Sequence, residues 1–263
     1  MSQRLLLLLA PCLWLTAGCK RLPLAPDNLE ELTNHLYLHF EDEDPEHIVS
    51  GLVNTRLWLD EHFEEATGGY EVYNLTSEAV EGLEGVDPDL EGQVGVAVAT
   101  DLNFGVEELV KTVVAVDSAV MDPDAYPVYD RTFVTDRDCF LNRECEMVTY
   151  DIDMTSTYPL GIVVSSKNRS QFRWIETDEG LACVQRSWML EPAEVNVNWL
   201  EVDQQFYFAV QMPNGDTTRR IDAGWLIMRT GALPVSEAMV MKLAVGAMSD
   251  SAHVVANYLA EQD

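Results

Sequence analysis

The chain has 263 residues, of which 47% are hydrophobic, so its length and composition allow a sizeable core and argue against disorder. It carries 45 acidic and 16 basic residues, a net charge of −29. Such a surface repels nucleic acid and anionic lipid headgroups, so no nucleic-acid partner is expected. The acidity also has an explanation that involves no specific function of this protein, because whole proteomes of salt-adapted organisms are acidic.

The first nineteen residues have the pattern of a targeting signal. Met1–Arg4 is positively charged, Leu5–Leu15 is apolar but too short to span a bilayer, and three small residues precede Cys19. This stretch resembles the lipobox of bacterial lipoproteins, in which the cysteine is lipidated and becomes the first residue of the mature protein. The alternative is an ordinary secretory signal with an incidental cysteine.

The lipobox resemblance implies a signal peptide over residues 1–18 and a lipid anchor on Cys19, which would make the membrane the first partner. It places the protein in the bacterial cell envelope. Lys20 follows Cys19 where many lipoproteins of the inner membrane have aspartate, so the outer membrane facing the periplasm is favoured.

An N-terminal helical annex over 27–92 follows a short tether, 19–26, which contains two prolines. Asp27 or Asn28 can cap a first helix whose apolar residues recur at helical spacing up to Phe40. A second helix begins at Asp44 and ends at Gly68-Gly69. Residues 81–92 form an acidic, glycine-rich loop.

Residues 93–263 have a different pattern, which predicts an α+β domain. A strand over 93–100 and a helix over 104–120 precede a series of alternating segments typical of antiparallel strands. Strands are expected at 128–135, 144–154, 160–166, 170–176, 181–190, 194–200, 205–212 and 217–228. The turn Pro213–Asp216 contains Asn-Gly, a strong hairpin signal. A long amphipathic helix runs from Ser236 to about Glu261.

This order of elements resembles the helix-grip fold of the START and Bet v 1-like superfamily. The likeness covers about 93–263 and includes Arg186-Ser187-Trp188 late in the sheet and the Gly231–Pro234 step into the last helix. It implies a curved antiparallel sheet that grips the C-terminal helix, with a cavity between them for a lipid or another apolar ligand. Another antiparallel α+β arrangement is the alternative.

The wall of that cavity is expected to consist of aromatic strand residues, one arginine and two methionines of the last helix. The residues are Phe172, Trp174, Arg186, Trp188, Phe206, Phe208, Trp225, Met241 and Met248. For each aromatic residue the alternative is a place in the ordinary core. Arg186 could hold a carboxylate or phosphate head group. Its alternative is a structural ion pair with one of the many acids.

Of the five cysteines, Cys12 lies in the signal and Cys19 carries the expected lipid. Cys139 and Cys145 flank a short segment between two predicted strands, and a disulfide between them is the first expectation. The rival is a bridge from either of them to Cys183, which otherwise is a buried thiol.

The sequence contains no recognisable catalytic motif, whether a nucleophile elbow, a phosphate loop or a His-Glu-x-x-His zinc motif. His35 and His39 are one helical turn apart near His47, a spacing that suits a metal, but a solvated helix face explains it as well. No metal, cofactor or catalytic residue is therefore predicted. The expected function is non-catalytic binding of an apolar ligand. The alternatives are an envelope interaction protein with a filled core, and a hydrolase or cyclase on the same scaffold.

Overall fold

The structure is a computed structural model that describes residues 22–158, 161–231 and 237–262, without the side chains of 237, 238, 240 and 241. The expected signal peptide and Cys19 lie outside the described residues. In the described part, the chain forms a large antiparallel sheet with helices on both faces and a long helix near its C-terminus. The predicted α+β class, with a curved antiparallel sheet and a C-terminal helix, is confirmed.

The N-terminal annex contains two main helices and two short elements: α1 (Leu29–Leu38), α2 (Glu46–Ala66), β1 (Tyr70–Glu71) and α3 (Ser77–Val80). The side chain of Asn28 caps α1 by accepting a hydrogen bond of 2.9 Å from the backbone N–H of Glu31. The apolar stripes of α1 and α2 are buried, so these helices pack by the faces that their periodicity predicts.

The remaining elements follow the predicted order. The helices are α4 (Val106–Ala115), α5 (Ser118–Met121), α6 (Arg137–Leu141) and α7 (Glu237–Ala260). The strands are β2 (Val94–Leu102), β3 (Val128–Phe133), β4 (Met147–Tyr158), β5 (Ile162–Thr177), β6 (Gly180–Met189), β7 (Glu194–Val195), β8 (Leu200–Asn214) and β9 (Thr217–Thr230).

All strand pairs in the described residues are antiparallel, and the sheet order is β1-β2-β9-β8-β6-β5-β4-β3, with β7 paired to β5. The last strand, β9, pairs with β2, so the first and last long strands are neighbours in the sheet. The β8–β9 hairpin turns at Gly215, whose φ of 62° lies in the left-handed region that glycine adopts without strain.

Three segments differ from their predicted form. Residues 162–177 form one strand instead of two, because β4 and β6 pair with them on both sides through Lys167 and Asn168. The helix predicted over 104–120 is divided, since Val116 is extended and ends α4 before α5 begins. The strand predicted over 194–200 is reduced to the two residues of β7.

The sheet has two covered faces. On β8, Phe206 and Phe208 pack against residues of α1 and α2, and we call this side the α1–α2 face. Tyr207, between them, packs with Met248 of α7, and we call that side the α7 face. Because successive residues of a strand point to opposite sides, this alternation tells to which of the two faces every other strand residue points. Helix α4 covers part of the α7 face over β4, β5 and β6.

Candidate functional site

Most of the expected cavity wall lies on the α1–α2 face. Trp188, Phe206, Phe208 and Trp225 are buried with residues of α1 and α2 in the largest apolar cluster. The ring of Tyr37 on α1 is 5.8 Å from that of Trp225 and 6.2 Å from that of Phe206. These four aromatic residues therefore join the annex to the sheet, on the side away from α7.

Arg186 lies on the same face and is held by the protein itself. Its Nη2 is 2.5 Å from Oε1 of Glu41, and its Nε donates a 2.7 Å hydrogen bond to Gln171. The guanidinium also lies 4.6 Å from the ring centre of Phe40, a cation–π contact. The structure thus shows the ion pair that was the alternative to a head-group site.

The other members of the expected wall lie on the α7 face or outside the description. Phe172 and Trp174 pack under α4 and α6, and the rings of Trp174 and Phe140 are stacked with centres 5.0 Å apart. Met248 packs on Val96 and Val98 of β2. The side chain of Met241 is outside the described residues.

The cysteines take one of the expected arrangements. Cys139 and Cys145 form a disulfide, with their Cα atoms 5.3 Å apart, across helix α6 and the turn after it. Cys183 is a free, buried thiol on β6. Burial raises the pKa of Cys183, so the thiolate is disfavoured.

Beside α7, several residues of the sheet are less buried than those of the α1–α2 face. Helix α7 packs along β2 and touches α4 and α5, and among the described residues it leaves the middle strands of its face partly uncovered. On β6 and β8, Gln185, Ser187 and Tyr207 are half-buried and Gln205 is exposed, whereas their neighbours that point to the α1–α2 face are fully buried. We call this the α7 groove. Its lining residues are Asn168, Gln185, Ser187, Gln205, Tyr207, Leu226 and Met228.

The two sides of the α7 groove differ in polarity. Strands β5, β6 and β8 contribute amide and hydroxyl groups, and Gln185 donates a 3.4 Å hydrogen bond to Ser170. Strand β9 contributes Leu226 and Met228, which are half-buried. A groove of this kind suits a molecule with an apolar body and a polar end.

A charged cluster of Arg220, Asp222 and Tyr207 forms the floor of the groove. Asp222 is 0% exposed and Arg220 4% exposed, and Nε of Arg220 lies 2.9 Å from Oδ2 of Asp222. Arg220 also donates a 2.7 Å hydrogen bond to the Tyr207 hydroxyl, which in turn donates to Asp222. The ion pair is thus desolvated and held by several hydrogen bonds, the condition under which a buried pair is tolerated.

The pKa directions in this cluster follow from burial and partner. Burial raises the pKa of the Tyr207 phenol, so it is protonated at neutral pH. Burial disfavours the charged Arg220, but Asp222 and Tyr207 outweigh it and raise the pKa of the guanidinium. Next to Arg220 across the strand pair, Oε1 of Gln211 is buried without a hydrogen-bond partner. The floor therefore keeps one polar atom for a further contact.

This cluster was not predicted as a site from the sequence. The sequence does contain a signal for it, because strand alternation places the side chain of Tyr207 on the opposite face of the sheet from Phe206 and Phe208. The alternation of residues does not tell which of the two sheet faces α7 covers.

A second cleft, of about 520 Å³, lies on the α1–α2 face. Acidic residues of the annex line it together with Arg169 and Arg186. Arg169 is 2.7 Å from Asp151 and 2.6 Å from Glu84. Because protein carboxylates engage both arginines, the cleft is a weak candidate for an anionic ligand.

No helix within the described residues is long and apolar enough to cross a membrane. The chain matches no protein-family model and no curated relative.

Several solved structures are similar to the chain at low levels of identity. A START superfamily protein from Mycobacterium smegmatis is 13% identical, with a TM-score of 0.39, over 65% of this chain and all 100% of its own. The STAR-related lipid transfer protein from Xanthomonas axonopodis is 9% identical, with a TM-score of 0.41, over 73% of this chain and 98% of its own.

Norcoclaurine synthase from Thalictrum flavum is also similar, at 11% identity and a TM-score of 0.39, over 64% of this chain and 87% of its own. The prediction that the chain is not an enzyme, which was drawn from the lack of a recognisable catalytic motif, is wrong as it stands, because an enzyme is among the structures that the chain resembles. Likeness at this level does not establish an activity for this chain.

Proposed function

We propose that the chain is a lipoprotein of the bacterial cell envelope whose acidic domain binds an amphipathic, lipid-like molecule in the α7 groove. The lipobox-like segment ending at Cys19 supports the anchor. The observation that carries the ligand site is the unequal burial of the two sheet faces. Over β8 and β9 the α1–α2 face is filled by aromatic core, whereas the α7 face keeps half-buried polar groups over β6 and β8.

In this proposal the apolar body of the ligand lies along Leu226 and Met228, and its polar end meets Gln185, Ser187 and the hydroxyl of Tyr207. Each contact would desolvate groups that are already half-buried, so the desolvation cost of binding is reduced. The ion pair of Arg220 and Asp222 fixes Tyr207 from below. The groove is preorganised to that extent.

Native mass spectrometry of the full chain, purified in mild detergent, tests the ligand. We expect a bound species that organic extraction identifies as lipid-like, or uptake of added fatty acid or phospholipid. The variant Ser187→Phe fills the groove and should abolish uptake. Thr157→Phe is the matched control, because Thr157 is exposed on the other side of β4. Equal uptake by both variants, or none by the native chain, would refute the site.

The anchor has a separate test. Mass spectrometry of the N-terminal peptide should show a lipid-modified Cys19 as the first residue, and Cys19→Ala should leave the membrane fraction. An unmodified N-terminus that begins elsewhere would contradict the anchor and leave the groove untouched.

A further inference from the structure

Three of the five histidines of the chain lie together at the junction of α1 and α2. His35 is on α1, His39 is the residue that ends it, and His47 is in the first turn of α2. One ring nitrogen from each lies within 4.8 Å of the corresponding nitrogens of the other two, and all three side chains are half-buried.

The backbone that carries these histidines is anchored to the sheet. Each histidine is followed in the chain by a buried apolar residue, and these residues are Leu36, Phe40 and Ile48. Their burial holds the backbone on which the three rings are carried, so the rings stay near one another. Arg173 on β5 donates hydrogen bonds of 2.8 Å to the carbonyls of Phe40 and Asp42. The loop between the helices is therefore held at two points, and the cluster does not depend on a free loop.

Two hydrogen bonds fix the tautomers of two of the rings. Nε2 of His35 is 3.1 Å from the carbonyl oxygen of His47, which can only accept, so Nε2 carries the proton and Nδ1 keeps its lone pair. Nδ1 of His39 is 2.8 Å from Oδ2 of Asp42, so Nδ1 donates and Nε2 keeps its lone pair. The two hydrogen bonds thus orient both rings and leave Nδ1 of His35 and Nε2 of His39 as the nitrogens available to a metal.

The third ring has a buried nitrogen that nothing in the described structure satisfies. Nδ1 of His47 has no hydrogen-bond partner. A buried polar atom without a partner lowers stability, so a metal ion bound at this atom would supply the missing interaction. The ring of His47 is stacked on that of His39, with centres 4.1 Å apart.

The surroundings also suit a cation. The carboxylate of Asp42 accepts from His39 in the way that outer carboxylates orient histidine ligands of metals and raise their basicity. Residues 41–44 are all acidic, so the local potential attracts a divalent ion.

We propose that His35, His39 and His47 form a binding site for a divalent transition-metal ion of the zinc class. Three imidazole ligands with one position left for water match the donor set and number that Zn²⁺ accepts, and imidazole also suits Cu²⁺, Ni²⁺ and Co²⁺. Tetrahedral coordination places ligand nitrogens about 3.4 Å apart, so the stacked rings must tilt slightly toward the ion.

Metal titration of the full chain, first stripped with EDTA, tests the site with Zn²⁺ and with Co²⁺. We expect one ion per chain and visible Co²⁺ absorption of the intensity typical of tetrahedral coordination. His39→Gln and His47→Gln should each weaken binding by about 100-fold or more, and Asp42→Asn by about 10- to 100-fold. His62→Gln and His253→Gln are matched controls outside the cluster and should bind as the native chain does.

Two results would overturn the proposal. One is a native chain that binds neither ion more tightly than the His47→Gln chain. The other is stoichiometric binding that survives the triple His→Gln replacement, which would place the ion among acidic side chains alone. Circular dichroism checks that each variant is folded. If a ligand variant unfolds, the Asp42→Asn affinity and the Co²⁺ spectrum of the native chain decide.

Discussion

The guanidinium of Arg186, at the centre of the sheet, lies 2.5 Å from the carboxylate of Glu41 in the loop between α1 and α2. The arginine side chain is 4% exposed and the glutamate 55% exposed, so the pair joins a buried charge to a half-solvated one. Loss of the glutamate would leave the buried charge with only Gln171 and aromatic rings as partners. The annex is thus attached to the sheet by charge as well as by apolar packing.

A double-mutant cycle measures this attachment. We expect Glu41→Gln and Arg186→Met to show a coupling free energy above about 1 kcal/mol in denaturant unfolding, because one partner is desolvated. The pair Arg229–Asp203 is the control. Its arginine is 70% exposed, so its coupling should be clearly smaller than that of the Glu41–Arg186 pair. Equal coupling in the two pairs would contradict this account.

The floor of the α7 groove should be the more sensitive ion pair. Asp222→Asn leaves Arg220 buried and charged without its counter-ion, and we expect a loss of about 3–5 kcal/mol in unfolding free energy. Tyr207→Phe removes one hydrogen-bonding hydroxyl and should cost only about 1–2 kcal/mol. Chemical denaturation of both variants gives the comparison. A smaller loss for Asp222→Asn than for Tyr207→Phe would show that the pair is not the main element of the cluster.

The disulfide between Cys139 and Cys145 closes a short loop, so its contribution should be modest. The sequence separation of 6 predicts about 2 kcal/mol from restriction of the unfolded chain. The double variant Cys139→Ala/Cys145→Ala should unfold with that loss and should be insensitive to reductant. Peptide mapping without reduction checks the pairing. A linkage of either cysteine to Cys183 would contradict the structure.

Alkaline pH should destabilise the fold around Tyr126, in the segment before β3, whose hydroxyl is hydrogen-bonded to Ser251 of α7. Burial raises the pKa of Tyr126 to about 12, against about 10 in an unfolded chain. The folded state therefore keeps its proton longer, and this contribution to stability is complete below pH 10 and is lost as the pH rises to about 12. Denaturation between these pH values should show a steeper fall for the native chain than for Tyr126→Phe. Parallel pH curves would exclude the effect.

The sequence predicts the elements of this fold better than their mutual placement. Period-two alternation is a local property, so β8 and β9 and the Asn-Gly turn between them follow from the pattern. Helical periodicity likewise predicts α1 and α2. Division of the long helix at Val116 and fusion of two strands into β5 depend on partners elsewhere in the chain, which no local window contains.

The candidate site shows the same limit. Alternation assigns Phe206 and Trp225 to one face of the sheet, but helices cover both faces, so the pattern cannot say which helix meets them. The resemblance of the element order assigned them to α7, and the structure places them against α1. The spacing of His35 and His39 was visible, whereas the orphan nitrogen of His47 requires the fold.

The position of Asn54 limits the distance between Cys19 and the folded domain. Its amide donates hydrogen bonds of 3.0 Å and 2.7 Å to the carbonyls of Ala25 and Pro26, which fixes these residues to the middle of α2. Six residues from Cys19 to this clamp extend at most about 20 Å. If Cys19 is lipidated, the part of α2 around Asn54 stays at about that distance from the bilayer, while the acidic surface is repelled by anionic headgroups. The short tether and the electrostatic repulsion would together orient the domain with α2 toward the membrane.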